Sequence, residues 1–326
     1  MAFVDKFVAE ILALQVALYH AHARLEARTD SEALHDLRIA VRRIRSLLRP
    51  MRAMNEVATL NIAAAEVGRL TAPARDLEVM IQELEGRGFP AQVQVRKARL
   101  ASHYTRVLKS PHLNNLFIQL DEWPSIFRSV EVNGGLKHIQ PQIEKALKKQ
   151  IDRLHAAVDD AEFDRHELRI LVKRTRYLTE AFPKLSPLSR KAASSLKALQ
   201  SALGSWHDHY QWCQKALIES DLRPLEKIWQ SCAATALEKA ETQLVGLAKR
   251  LPKSSGKKSR LQWQQKNEHA LYSLSITVEG YSDDTFFASF EDHILKTRDP
   301  GVCSSVKGSG CHLSVIDPMA RSSQTA

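Results

Sequence analysis

Two short stretches of this chain place arginine and histidine where a row of phosphates could be gripped. On a helix advancing 100° per residue, His35, Arg38, Arg42, Arg45 and Arg49 fall within an arc of about 80°. Leu37, Val41, Ile44 and Leu48 form a separate apolar stripe about 100–120° away, so one helix would show a core face beside a basic face. His166, Arg169, Lys173 and Arg176 repeat the 3-4-3 spacing, with Leu168 and Val172 on the core side. Arg43 and Arg174 lie just off these stripes. Guanidinium forks donate two parallel hydrogen bonds and so match phosphate oxygens. Each histidine opens its helix, where the dipole favours anions and a neutral imidazole still donates one proton. Like charges at these spacings repel by roughly 0.2–0.5 kcal/mol per pair, a cost that a bound anion converts into affinity.

A single basic helix face is most often a solvated surface. Here the feature occurs twice in register. His35-Asp-Leu-Arg-Ile-Ala-Val-Arg-Arg-Ile-Arg-Ser-Leu47 aligns with His166-Glu-Leu-Arg-Ile-Leu-Val-Lys-Arg-Thr-Arg-Tyr-Leu178 at an offset of 131, with eight of thirteen positions identical. Arg75-Asp76 answers His207-Asp208 one residue further on. This points to an internal duplication.

The elements that would position these rows are helical. Of 326 residues, 44% are hydrophobic and only 12 each are Gly and Pro, which fits a packed all-α protein. Periodicity predicts helices near 3–28, 31–53, 55–85, 90–120, 139–160, 164–182, 187–219 and 222–250. Thr29-Asp30-Ser31 reads as a cap, and Trp123-Pro124 with Asn133-Gly134-Gly135 brackets a linker. The expected organisation is a first four-helix bundle over 1–125, a second over 134–250, and a linker and poorly structured tail over 251–326, with a short helix near 261–273. The formal charge is +10, and the tail holds 9 Lys/Arg against 8 Asp/Glu, so the excess belongs to the helical body. An acidic partner follows, although charge alone does not name it. Four cysteines without CxxC spacing suit a reducing compartment, and neither a signal peptide nor a transmembrane run is legible, which together predict a cytoplasmic protein.

The runs LHDLRIAVRRIRSLLRP (34–50) and RHELRILVKRTRYLTEAF (165–182), with ARDLEV and LGSWHDH further on, resemble the CHAD domain, a helical domain named for its histidines. The resemblance spans about residues 3–250. It implies two four-helix bundles related by a pseudo-two-fold, basic helices lining a central cleft or pore, inorganic polyphosphate as ligand, and in some members association with polyphosphate granules. Carried over by position, the ligand contacts would be His35, Arg38, Arg42, Arg45, His166, Arg169, Lys173 and Arg176, with Arg43 and Arg174 nearby. Many relatives carry a triphosphatase domain with an ExExK motif. The nearest string here, Glu83-Leu-Glu-Gly-Arg87, ends a helix with no strand context.

Other features rank lower. Arg96, Arg99, His103 and Arg106 share the 3-4-3 spacing and are candidates to extend the basic surface. Asp76 and Asp208 read as anchors for neighbouring arginines or helix ends. Tyr177, Trp206 and Trp229 read as core or bundle-interface residues. The dipeptides His35-Asp36 and His207-Asp208 raise a second reading, a metal-dependent phosphohydrolase, against which stand the arginines that would repel a cation. Nucleic-acid binding is a third, opposed by an aromatic content of 6% and the lack of any recognition module. With no Walker loop, GxGxxG or nucleophile arrangement, the expectation is a non-catalytic polyphosphate binder needing no cofactor or metal.

Overall fold

The computed structural model describes residues 3–252, all within one unit, and every regular element among them is helical. Their order is α1 (Phe3–Ala27), α2 (Ala33–Leu48), α3 (Asn55–Gly86), α4 (Pro90–Leu108), α5 (Pro111–Val132), α6 (Ile139–Val158), α7 (Arg165–Ala181), α8 (Arg190–Ile218) and α9 (Glu226–Ala248). Short 3-10 turns span Arg49–Met51 and Ser220–Leu225. The linker and helix expected beyond residue 252 lie outside the described residues.

The two predicted basic helices form as α2 and α7, each for a local reason. α2 buries the stripe anticipated from spacing, Leu37, Val41, Ile44 and Leu48, together with Leu34. Just ahead of it, Asp30 Oδ1 accepts the Glu32 N–H at 2.9 Å and is itself held by Arg24. α7 starts at Asp164, whose side chain accepts the Glu167 N–H at 2.8 Å and removes one orphan donor of the first turn.

The expected fourth helix, 90–120, is in fact two. Ser110 breaks it: its Oγ accepts the His112 N–H at 3.2 Å, and Pro111 occupies the first position of α5. The linker expected to begin at Trp123-Pro124 is also corrected, because α5 runs through Pro124 to Val132. Pro124 forfeits one backbone hydrogen bond. That loss is outweighed by the buried row Leu113, Leu116, Leu120, Trp123 and Phe127, in which Trp123 and Phe127 stack at 4.5 Å and Phe127 meets Phe7 of α1 at 5.5 Å. The true break is the turn at 133–138. Gly134 has φ +75°, and a Cβ on Gly135 would stand 2.7 Å from Val130 Cγ1.

The buried side chains gather in three groups. The first joins α1, α2, α3, Val107 of α4, α5 and the start of α6 with Leu178 of α7 and Phe182 just beyond it. The second joins the rest of α6 and α7 with α8 and α9. The third packs the end of α3 and Val93 of α4 against Trp212, Cys213, Leu222, Leu225 and Trp229. Two of the three therefore cross the 133–138 turn. Through this packing α2 and α7, far apart in sequence, lie directly against each other.

Candidate functional site

Where α2 meets α7 there is an open cleft of about 360 Å³, lined by Arg42, Arg43 and Ser46 of α2, by Arg176, Tyr177 and Glu180 of α7, and by Glu10 of α1. Ile39, Leu47 and Ala181 complete the lining with apolar surface. Guanidinium groups from both helices lie against one ring: Arg42 Cζ is 4.6 Å and Arg176 Cζ 5.5 Å from the Tyr177 centroid. The Tyr177 hydroxyl accepts from Gln200 Nε2 of α8 at 3.4 Å. Two cleft arginines carry carboxylates, Arg43 with Glu10 and Arg176 with Glu180, both at 2.7 Å. These carboxylates are largely exposed, so the pairs are weak and displaceable.

Away from the cleft, the α2 row leans on α3. Arg38 Nη1 donates to the Gly68 carbonyl at 3.0 Å and to Thr71 Oγ1 at 2.7 Å. The buried Thr71 hydroxyl in turn donates to the Val67 carbonyl at 2.8 Å. His35 is half-buried. Burial first, then Arg75 of α3 and Arg42, hold its pKa below the ordinary histidine value, against Glu32 and Asp36, which pull it up. Arg75 is anchored by Glu78 at 2.8 Å, whose buried carboxyl is raised and also accepts from Tyr104 at 2.6 Å. In α7 the corresponding histidine, His166, faces α8, with its ring 4.9 Å from that of the buried His207. Arg75, which acts electrostatically on His35, and His207, whose ring lies by that of His166, are the residues matched at the offset of 132.

The remaining expected contacts are placed as follows. Arg45 lies half-buried on the later part of α2, and Arg49 falls just past it in the 3-10 turn. Arg169 is buried in α7, and Lys173 and Arg174 are half-buried there. At the 131-residue offset Tyr177 answers Ser46 and Glu180 answers Arg49, so the α7 row is shorter and ends in an acid.

The proposed extension along α4 is corrected at Arg96. Arg96 is fully buried, bound to Asp221 and, at 2.7 Å, to Glu219; Arg99 reaches Glu219 at 3.1 Å. Arg96 thereby ties α4 to the Ser220–Leu225 turn, whereas the Arg99 side chain remains exposed beside Glu219. Arg106 is exposed and contacts His103 at 2.6 Å. Asp36, a half of the His-Asp reading, accepts from Arg24 at 2.6 Å. Among the described residues no three His, Cys, Asp or Glu side chains gather to hold a metal, and no helix is long and apolar enough to cross a membrane.

Sequence reasoning missed Tyr177 and Thr71 as parts of the site. Tyr177 was read as an interface residue, which it is, but its ring also forms the wall of the cleft. Thr71 gives no pattern signal, since its role depends wholly on how α3 lies against α2.

Comparison with known proteins agrees with this architecture. A crystal structure of the CHAD domain from the plant Ricinus communis superposes with a TM-score of 0.57 at 21% identity, covering 78% of this chain and 93% of that one. PptA from Streptomyces chartreusis is more distant, with a TM-score of 0.46 at 17% identity over 74% of this chain and 98% of that one. No curated protein matches the sequence. The CHAD domain model matches residues 10–217, a stretch that takes in both basic helices and leaves α9 outside. With well over half its length matched, the chain belongs to the CHAD domain family.

Proposed function

We propose that this protein binds inorganic polyphosphate along the cleft between α2 and α7 and performs no chemistry on it. The observation that carries the reading is the convergence of two sequence-distant basic helices, whose Arg42 and Arg176 lie against one ring at the lip of one cleft. A linear polymer suits it better than a compact ligand, because arginines continue along α2 beyond the cleft. The resemblance of the two motif runs to the CHAD pattern points to the same ligand. By this reading His35, Arg38, Arg42, Arg45, Arg49, Arg169, Lys173 and Arg176 line the polymer's path, Arg43 and Arg174 flank it, and His166 sits at its far end. The halves on either side of the 133–138 turn are read as a duplicated unit, and the protein is expected at polyphosphate granules where a cell makes them.

The test is a titration with polyphosphates of defined length at several salt concentrations. Affinity should rise with chain length and fall steeply with salt, as each neutralised phosphate releases counterions. Arg42→Glu combined with Lys173→Glu should lower affinity by at least about a hundredfold, since two attractive contacts become repulsive, while leaving helicity unchanged. Single-stranded RNA of equal phosphate count should compete poorly. Full-strength binding by the double variant would sink the assigned site, and preferential retention of RNA would sink the assigned ligand.

A further inference from the structure

The cleft poses a physical problem that its arginines alone do not solve. Guanidinium groups from two helices project into the same space, where they repel each other, and each stem has several rotatable bonds, which the largely exposed Glu180 on Arg176 restrains only in part. Tyr177 answers both difficulties. Its ring presents negative π density to Arg42 at 4.6 Å and to Arg176 at 5.5 Å, both within the range of cation–π attraction. The ring is itself fixed, since its backbone sits in α7 and its hydroxyl accepts from Gln200 of α8. Opposite it, the equivalent position of α2 is Ser46, whose Oγ turns inward to the Arg42 carbonyl at 2.8 Å and also lines the cleft.

Resting on the polyphosphate reading of the cleft, we infer that Tyr177 is a positioning residue for the ligand: its aromatic face holds Arg42 and Arg176 aimed into the cleft before the polymer arrives. Preorganisation of this kind raises affinity by removing side-chain ordering from the cost of binding. It does not change the number of charges that meet the ligand. The signature is therefore an affinity loss without a change in salt dependence, whereas losing an arginine would change both.

The experiment measures long-chain polyphosphate affinity across a salt series for the full chain carrying Tyr177→Phe, Tyr177→Trp or Tyr177→Leu, with thermal melts of each. The aromatic variants keep the face and should bind within about twofold of the parent. Tyr177→Leu should bind about five- to tenfold more weakly with an unchanged salt slope. Equal binding by Tyr177→Leu, or an equal loss in Tyr177→Phe, would overturn the inference. Should Tyr177→Leu melt early, the parent protein still decides the matter. Without ligand, the Arg42 and Arg176 side-chain protons should resonate upfield under the ring current, and unshifted signals overturn the role. A parent that fails to bind polyphosphate yet keeps those upfield signals refutes the ligand assignment and leaves the ring's hold on the two arginines standing.

Discussion

His35 is neutral in the folded, ligand-free protein near pH 7, because burial, Arg75 and Arg42 all oppose a further positive charge. The unfolded chain takes up that proton near 6.5, so acidification through 6.5 favours unfolding at this residue. On the proposed reading, a bound polyanion would oppose that preference by stabilising the imidazolium. Polyphosphate affinity should therefore rise as pH falls toward the depressed pKa that His35 has in the ligand-free protein, with proton uptake on binding. Isothermal titration in buffers of different ionisation enthalpy measures that uptake. His35→Gln should flatten part of the profile, and superimposable profiles for variant and parent would remove His35 from the site. At this scale the row on α2 was legible because arginine spacing is a property of one helix. Thr71 and Tyr177 were not, because their roles arise only when α3 and α7 arrive beside it.

Among the elements, α7 depends on its cap. Asp164 satisfies the Glu167 N–H at the turn that presents His166, and Asp164→Ala should cost about 1 kcal/mol in urea unfolding, with a range near 0.5–2. Binding should weaken less than stability, as the arginines lie further along the helix. α5 shows why helix existence was easier to read than helix boundaries. Trp123-Pro124 resembles a stop signal, and locally it is one, yet the burial of Trp123 and Phe127 overrules it. Conversely Ser110-Pro111 lies in a stretch whose apolar spacing hardly falters, so the break there was hidden behind continuous periodicity. The α4 arginines mark a deeper limit. A 3-4-3 row looks the same in sequence whether it faces water or, as at Arg96, a carboxylate arriving from over a hundred residues away.

For the molecule as a whole, Arg96 joins regions from either side of the 133–138 turn. Removing both Asp221 and Glu219 by alanine substitution would leave a buried guanidinium without its carboxylates. Allowing for their partial exposure, the loss should be about 2–4 kcal/mol, measured by chemical denaturation, with polyphosphate affinity little altered in the protein that remains folded. A strong fall in affinity with unchanged stability would return Arg96 to the ligand surface. The seating of Leu178 and Phe182 among the side chains of α1, α2 and α5 has its own effect. Those two residues lie on the oily underside of the same stretch that carries Arg176 and Tyr177 above. The two basic helices are thus riveted together from beneath by apolar contacts, so on the proposed reading a polyanion entering above would meet rows whose spacing is already set and would not have to part the rivet.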